Sequence, residues 1–164
     1  MQLTKVERLL LANQYLILSK LDPQDESHTR MVKALEHGYE AAIQEALSKR
    51  IFDGLPEEEC HVVQDALELY GTIQRSYDAL EDKAGIEEHR VEFSGFDGNH
   101  ETAHMAYAKY LLEKEGRYPY LRLARGWANS HTEMLGRYRR QIAVWKSMDE
   151  KRELTREDIA SILG

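Results

Sequence analysis

The chain is 164 residues long, 42% hydrophobic and 31% charged, with a formal net charge of −7. That is the length of one ordinary domain, and three prolines and ten glycines are too few for an all-β or loop-rich protein. No apolar run approaches the roughly 20 residues that span a bilayer, and the acidic balance argues against a general nucleic-acid binder. Cys60 is the single cysteine, so no internal disulfide forms and a reducing cytoplasm is the expected location. On a helix its neighbour His61 points about 100° away, so adjacency supplies no catalytic Cys–His pair. Met1 to Arg8 lack the pattern of a cleavable secretory signal.

Apolar spacing is helical almost throughout. Thr4-Lys5-Val6-Glu7 spells a capping box, in which each side chain satisfies a free main-chain N–H. The helix that follows places Val6, Leu9, Leu10, Leu16, Ile17 and Leu21 on one broad face. Leu11, Tyr15 and Leu18 widen that face, and burial on more than one side is expected. Asn13 in its middle needs a hydrogen-bond partner if buried. Asp22-Pro23 ends the helix. A second helix is predicted over 25–37, with Met31 and Leu35 inward and Gly38 as its break. A third is predicted over 40–50, with Ile43, Leu47 and Ile51. Asp53-Gly54-Leu55-Pro56 reads as a turn, and Pro56 suits the start of a helix. Glu57, Glu58 and Glu59 then sit at the positive end of its dipole. This helix is predicted to reach about residue 82 on the stripe Val63, Leu67, Tyr70, Ile73, Tyr77, Leu80.

Over residues 84–98 the pattern changes. Val91-Glu92-Phe93 alternates like a strand, with Gly95, Asp97 and Gly98 supplying turn chemistry. One strand makes no sheet, so a short extended segment near residues 89–96 is expected, either a connector or a strand pairing with a second copy. Helix resumes over 99–115 with Asp97 as N-cap, stops at Gly116, and leaves Arg117 to complement its negative end. Residues 117–129 look irregular. Ser130-His131-Thr132-Glu133 spells another capping box, opening a helix to about Met148 with Met134, Tyr138, Ile142 and Trp145 inward. Thr155-Arg156-Glu157-Asp158 caps a last short helix. The expected fold is all-α, a single-domain bundle over 1–164 of about six or seven helices.

One motif spells known chemistry. In His100-Glu101-Thr102-Ala103-His104, two histidines four apart on a helix match the zinc-ligand spacing of hydrolases, with the Glu as base. Three features oppose a zinc reading. The motif falls in a first turn. Positions 107 and 110, where one zinc class needs Gly and His, are both tyrosine. The stripe Ala103, Ala106, Tyr107, Tyr110, Leu111 puts both histidines on its flank. No metal or cofactor is therefore expected, and a zinc-dependent hydrolase using His100, Glu101 and His104 is the alternative.

Charge is segregated along the chain. Residues 1–115 carry 23 acids and 12 bases, whereas 116–146 carry seven bases and one acid. Within that basic segment, Arg117, Arg122, Arg125 and Trp127 interleave with tyrosines as in single-strand binders. Arg137, Arg139 and Arg140 fall opposite the inward stripe of the next helix. These seven residues are the candidate ligand or partner surface. Either they face acidic surface of the same chain or of a second copy, or they bind an anion or nucleic acid. The opposing net charge disfavours nucleic acid.

Several pieces together resemble the YfbU-like family of uncharacterised bacterial proteins: Glu7-Arg8-Leu9, Asn13-Gln14-Tyr15, Leu21-Asp22-Pro23, Phe93-Ser94-Gly95-Phe96-Asp97, Glu115-Gly116-Arg117-Tyr118, and Tyr138 with Val144-Trp145. The resemblance implies a cytoplasmic, mostly helical bacterial protein and brings no activity, catalytic residue or cofactor. The functional expectation is a non-enzymatic, self-associating interaction module, a homodimer, with no membrane and no identified protein partner.

Overall fold

The computed structural model describes residues 2–51, 54–127 and 129–164. Asp53 of the expected 53–56 turn and Ala128 of the irregular 117–129 segment lie outside them. Among the described residues the chain is all-α, with seven α-helices and no strand. Contacts divide it into two compact units, 1–54 and 55–164.

The first unit holds α1 (Lys5–Leu21), α2 (Glu26–His37) and α3 (Glu40–Ser48). The Thr4 capping box forms: Glu7 N–H donates to Thr4 Oγ1 at 3.2 Å, and Thr4 N–H donates to Glu7 Oε2 at 2.8 Å. Gly38 closes α2 with φ +71°, a left-handed turn open to glycine. Arg8 Nη1 donates to the Leu35 carbonyl oxygen at 3.1 Å, tying α1 to the last turn of α2. The core is small: Ala12, Ala34, Leu35 and Ile43 are buried, with Leu11, Tyr15, Met31 and Leu47 packed on them. From α1 only Ala12 is fully buried. Within this unit α1 is covered along one side only, not on several as the sequence leads one to expect. Two short helices cannot wrap a third of 17 residues.

The second unit is built on α4 (Glu57–Ala79), whose stripe Val63, Leu67, Tyr70, Ile73, Tyr77 is buried as expected. Around it lie a 3₁₀ turn (Glu88–Val91), α5 (Thr102–Lys109) running into a π turn (Tyr110–Lys114), α6 (Leu135–Lys146) and α7 (Arg156–Leu163). The Thr155 capping box on α7 forms with Asp158. Four aromatic rings interlock at the centre. Phe93 stacks on Tyr138 at 5.3 Å between centroids, and Tyr70 and Phe96 meet Tyr138 edge-on at 5.5 and 5.3 Å. Tyr138 hydroxyl donates to the Gly95 carbonyl at 2.9 Å. Its burial pushes the phenol far above the ordinary tyrosine range.

Of the extended segment expected near 89–96, residues up to Val91 form the 3₁₀ turn instead, and the chain is extended only from Glu92, as a connector. It makes one parallel bridge, Phe93 to Leu123, and buried Gln74 of α4 fixes both sides of it. Gln74 Nε2 donates to the carbonyls of Val91 (2.8 Å) and Arg122 (2.9 Å), and its Oε1 accepts from Arg122 N–H (2.7 Å). The alternation of Val91 and Phe93 therefore reflects a core with one wall of side chains, not a sheet.

Two helix starts and one inward face differ from expectation. First, α5 begins at Thr102, not Asn99. Asp97 caps the turn before it, accepting from Asn99 N–H at 3.1 Å. Second, its inward residues are Glu101, His104, Ala108 and Leu111, while Ala103, Ala106 and Tyr110 face outward. Third, α6 begins at Leu135 without the Ser130 box, because Ser130 hydroxyl donates to the Thr132 carbonyl at 2.7 Å. The cap of α6 comes instead from Glu101.

Candidate functional site

Glu101 is buried and accepts from three main-chain N–H groups: Asp97 at 2.9 Å, Met134 at 2.9 Å and Leu135 at 2.6 Å. Its carboxylate thus occupies the positive end of α6 and staples it to the start of α5. The two histidines of the motif are held by different acids. His100 Nδ1 lies 2.5 Å from Asp97 Oδ2, and its ring is 67% exposed. Hydrogen bonding to Asp97 raises His100 above the ordinary imidazole range and holds Asp97 below the ordinary carboxylate range. His104, on the inward face and not on its flank, lies over Phe96 with its Nε2 2.7 Å from Glu59 Oε2. The bond from His104, with a second from Arg139, lowers Glu59. Among the described residues no group of three or more His, Cys, Asp and Glu side chains is arranged to hold a metal ion.

The basic segment divides into neutralised and free charges. Arg122 Nη1 donates to both carboxylate oxygens of Asp78 on α4, at 2.8 and 2.7 Å. Arg139 pairs with Glu59, and Lys146 reaches Asp65 at 2.6 Å. Arg117 lies 3.9 Å from Glu115 and over the ring of Tyr118. Trp127 packs against the core. Arg137 and Arg140 make no ion pair or hydrogen bond among the described residues, and together they line an open cavity of about 410 Å³. His89, Arg90 and Ser94 line the same cavity. Reading by segment missed those three because they precede the basic run; the His89-Arg90 pair beside the extended stretch was the available signal. Arg125 stays apart from this group.

The other distinctive surface is on α1. Val6, Leu9, Leu10, Leu16, Ile17 and Leu21 are 66%, 61%, 59%, 48%, 61% and 77% exposed. Asn13 sits in their midst and is exposed, so it needs no internal partner. A groove of about 380 Å³ continues this face toward α2, lined by Leu9, Leu16 and Leu35 together with the charged Lys5, Arg8 and Glu36. Six half-exposed aliphatic side chains amount to on the order of 700 Å² of contiguous apolar surface, above the roughly 300–600 Å² that a monomer ordinarily leaves open.

These features define an all-α protein with a carboxylate-stapled helical unit and a second, thinly cored helical unit presenting an apolar face. No helix among the described residues is long and apolar enough to cross a membrane. The YfbU domain matches residues 1–164, and the chain belongs to the YfbU family.

Proposed function

We propose that this protein is a non-enzymatic self-association module in which α1 of one copy packs antiparallel on α1 of a second copy. The observation that carries this reading is the uncovered apolar face of α1. Its occupant follows from its symmetry. Leu10 and Leu16 lie three residues either side of Asn13, and Leu9 and Ile17 lie four either side. A two-fold axis through Asn13 therefore sets aliphatic residues against aliphatic residues, and one amide against another that can both donate and accept. The helix dipoles oppose in that arrangement. Two such faces together would cover on the order of 1,000 Å² or more, which reaches the lower range of specific interfaces. The unit that carries this face has few buried side chains, so a second copy laid on α1 adds apolar burial to a thin core.

Against catalysis at the His100–His104 motif stands the engagement of Glu101. A general base must reach the water that it activates, and this carboxylate is committed to three main-chain donors.

The test is a symmetric cross-link. In a Cys60→Ser background, Asn13→Cys places two thiols beside the axis, within the roughly 7 Å between Cα atoms that a disulfide allows. Mild oxidation should yield a covalent dimer. Val6→Cys places its two thiols about 20 Å apart, at 1.5 Å of rise per residue, and should not cross-link. No Asn13→Cys dimer, or efficient linkage through Val6→Cys, would overturn the antiparallel pairing.

A further inference from the structure

The cavity that Arg137 and Arg140 line is built wholly from residues of the unit 55–164. Its wall on α6 is built by helical spacing: residues three apart share a face, so the two guanidinium groups project side by side. The segment Glu88–Val91 brings in Arg90, whose Nη2 donates to the main-chain oxygens of Leu163 at 3.1 Å and Gly164 at 2.6 Å. Ser94 adds a hydroxyl and His89 an imidazole. No Asp or Glu lines the space. Outside the lining, Glu87 Oε2 lies 3.5 Å from His89 Nε2. Were Gly164 to carry a free carboxylate, Arg90, which holds its oxygen, would match it one for one. Gly164 itself lines the space, so even with a carboxylate there the three guanidinium groups of Arg90, Arg137 and Arg140 leave an excess of two positive charges.

Arginine cannot relieve this crowding by losing a proton. Lysines in the same place would shift and discharge; guanidinium groups stay charged and call for an anion. Two forks side by side suit an oxyanion with several acceptor oxygens and about two negative charges, which describes phosphate better than a single carboxylate. The space of about 410 Å³ is that of a small-molecule site. Leu163 is the one apolar side chain on its wall, and no aromatic platform is present for a base to stack upon. We infer that this cavity binds the phosphate group of a small, polar phosphate monoester, gripped by Arg137 and Arg140 with Ser94 beside them.

The experiment titrates the full chain with inorganic phosphate at pH 7.5, against sodium chloride at matched ionic strength, and follows amide and arginine side-chain NMR signals. Expected are saturable shifts at Arg90, Ser94 and Arg137 to Arg140 with a dissociation constant of roughly millimolar order. The double variant Arg137→Gln/Arg140→Gln should weaken binding at least tenfold. Arg140→Glu, at an exposed position, should abolish it while leaving the thermal midpoint within a degree or two of the wild type. The inference is overturned by shifts that stay linear to about 50 mM and match chloride, as simple screening would give, or by equal binding to the variants. It is also overturned if a single-stranded oligonucleotide binds more tightly and perturbs Arg117 to Trp127 instead of the cavity.

Discussion

Replacing Glu101 by Ala removes the acceptor of three main-chain N–H groups, two of them in fully buried bonds. Hydrogen bonds to a charged group contribute about 1.5–3 kcal/mol each when their loss leaves a buried donor unsatisfied. The Leu135 N–H is only partly buried and can turn to water, so the sum falls short of three full bonds, at about 4 kcal/mol. For a protein of this size about 2–4 °C is lost per kcal/mol, which gives a thermal midpoint lower by about 8–16 °C. Glu101→Gln keeps one oxygen for α6 but turns an amide N–H₂ toward a main-chain donor, and should cost about half as much. The assay is thermal and urea unfolding followed by circular dichroism, together with amide hydrogen exchange at Met134 and Leu135. Exchange at those two amides should quicken more than at the α4 core, because the start of α6 frays first. A general base in a metal site would behave in the opposite way, since active-site residues commonly cost stability. Unfolding of Glu101→Ala within about 2 °C of wild type, or a Gln variant as stable as the parent, would refute the staple.

Gly95→Ala should also be strongly damaging. The position has φ +80°, and a methyl group there would run into the Trp127 carbonyl. The backbone strain and the forced displacement together cost about 3 kcal/mol or more, read as a lower urea midpoint with little change in slope. The Asp97–His100 pair gives a pH signature. Because Asp97 raises the folded-state value of His100, the pair's contribution is complete below about pH 6.5, the unfolded imidazole value. It is lost as pH rises through the higher folded value. The His100 Cε1 proton should titrate above about 6.5, and Asp97→Asn should bring its midpoint down. A thermal midpoint that falls between pH 6 and 8 in wild type should fall less in His100→Gln; identical pH dependence of the two would contradict the pairing.

Local chemistry was legible in the sequence and long-range partnership was not. The Thr4–Glu7 and Thr155–Asp158 boxes form, as four-residue patterns whose partners are fixed by helix geometry alone. The α4 stripe is buried as its spacing requires, and Gly38 and Gly116 end their helices at positive φ. The Ser130–Glu133 pattern looks equally good but loses to Glu101, which lies 34 positions before Leu135 and carries a full charge into the same helix end. That competition cannot be read from a four-residue window. The inward face of α5 differs from the expected stripe because two of its inward residues, Glu101 and His104, are polar, while Ala103, Ala106 and Tyr110 face outward, so apolar periodicity picks the wrong side.

The candidate surfaces follow the same division. Periodicity names the apolar residues of α1 but does not say which side its neighbours cover. The arginines of 116–146 were all visible, yet Arg122, Arg139 and Lys146 find acids on α4, and Arg137 and Arg140 do not. Only a fold that lays α6 beside α4 separates the paired charges from the free ones.

The central claim is that α1 is an interface between copies, and sedimentation equilibrium tests it most directly. At roughly 50 μM, where an interface with a micromolar dissociation constant is filled, the wild-type chain should sediment at twice its 19.1 kDa. Leu10→Glu/Ile17→Glu, both at exposed positions, should return it to a single 19.1 kDa species of unchanged helicity. A wild-type chain that stays at 19.1 kDa, or a double variant that still doubles, would contradict the account.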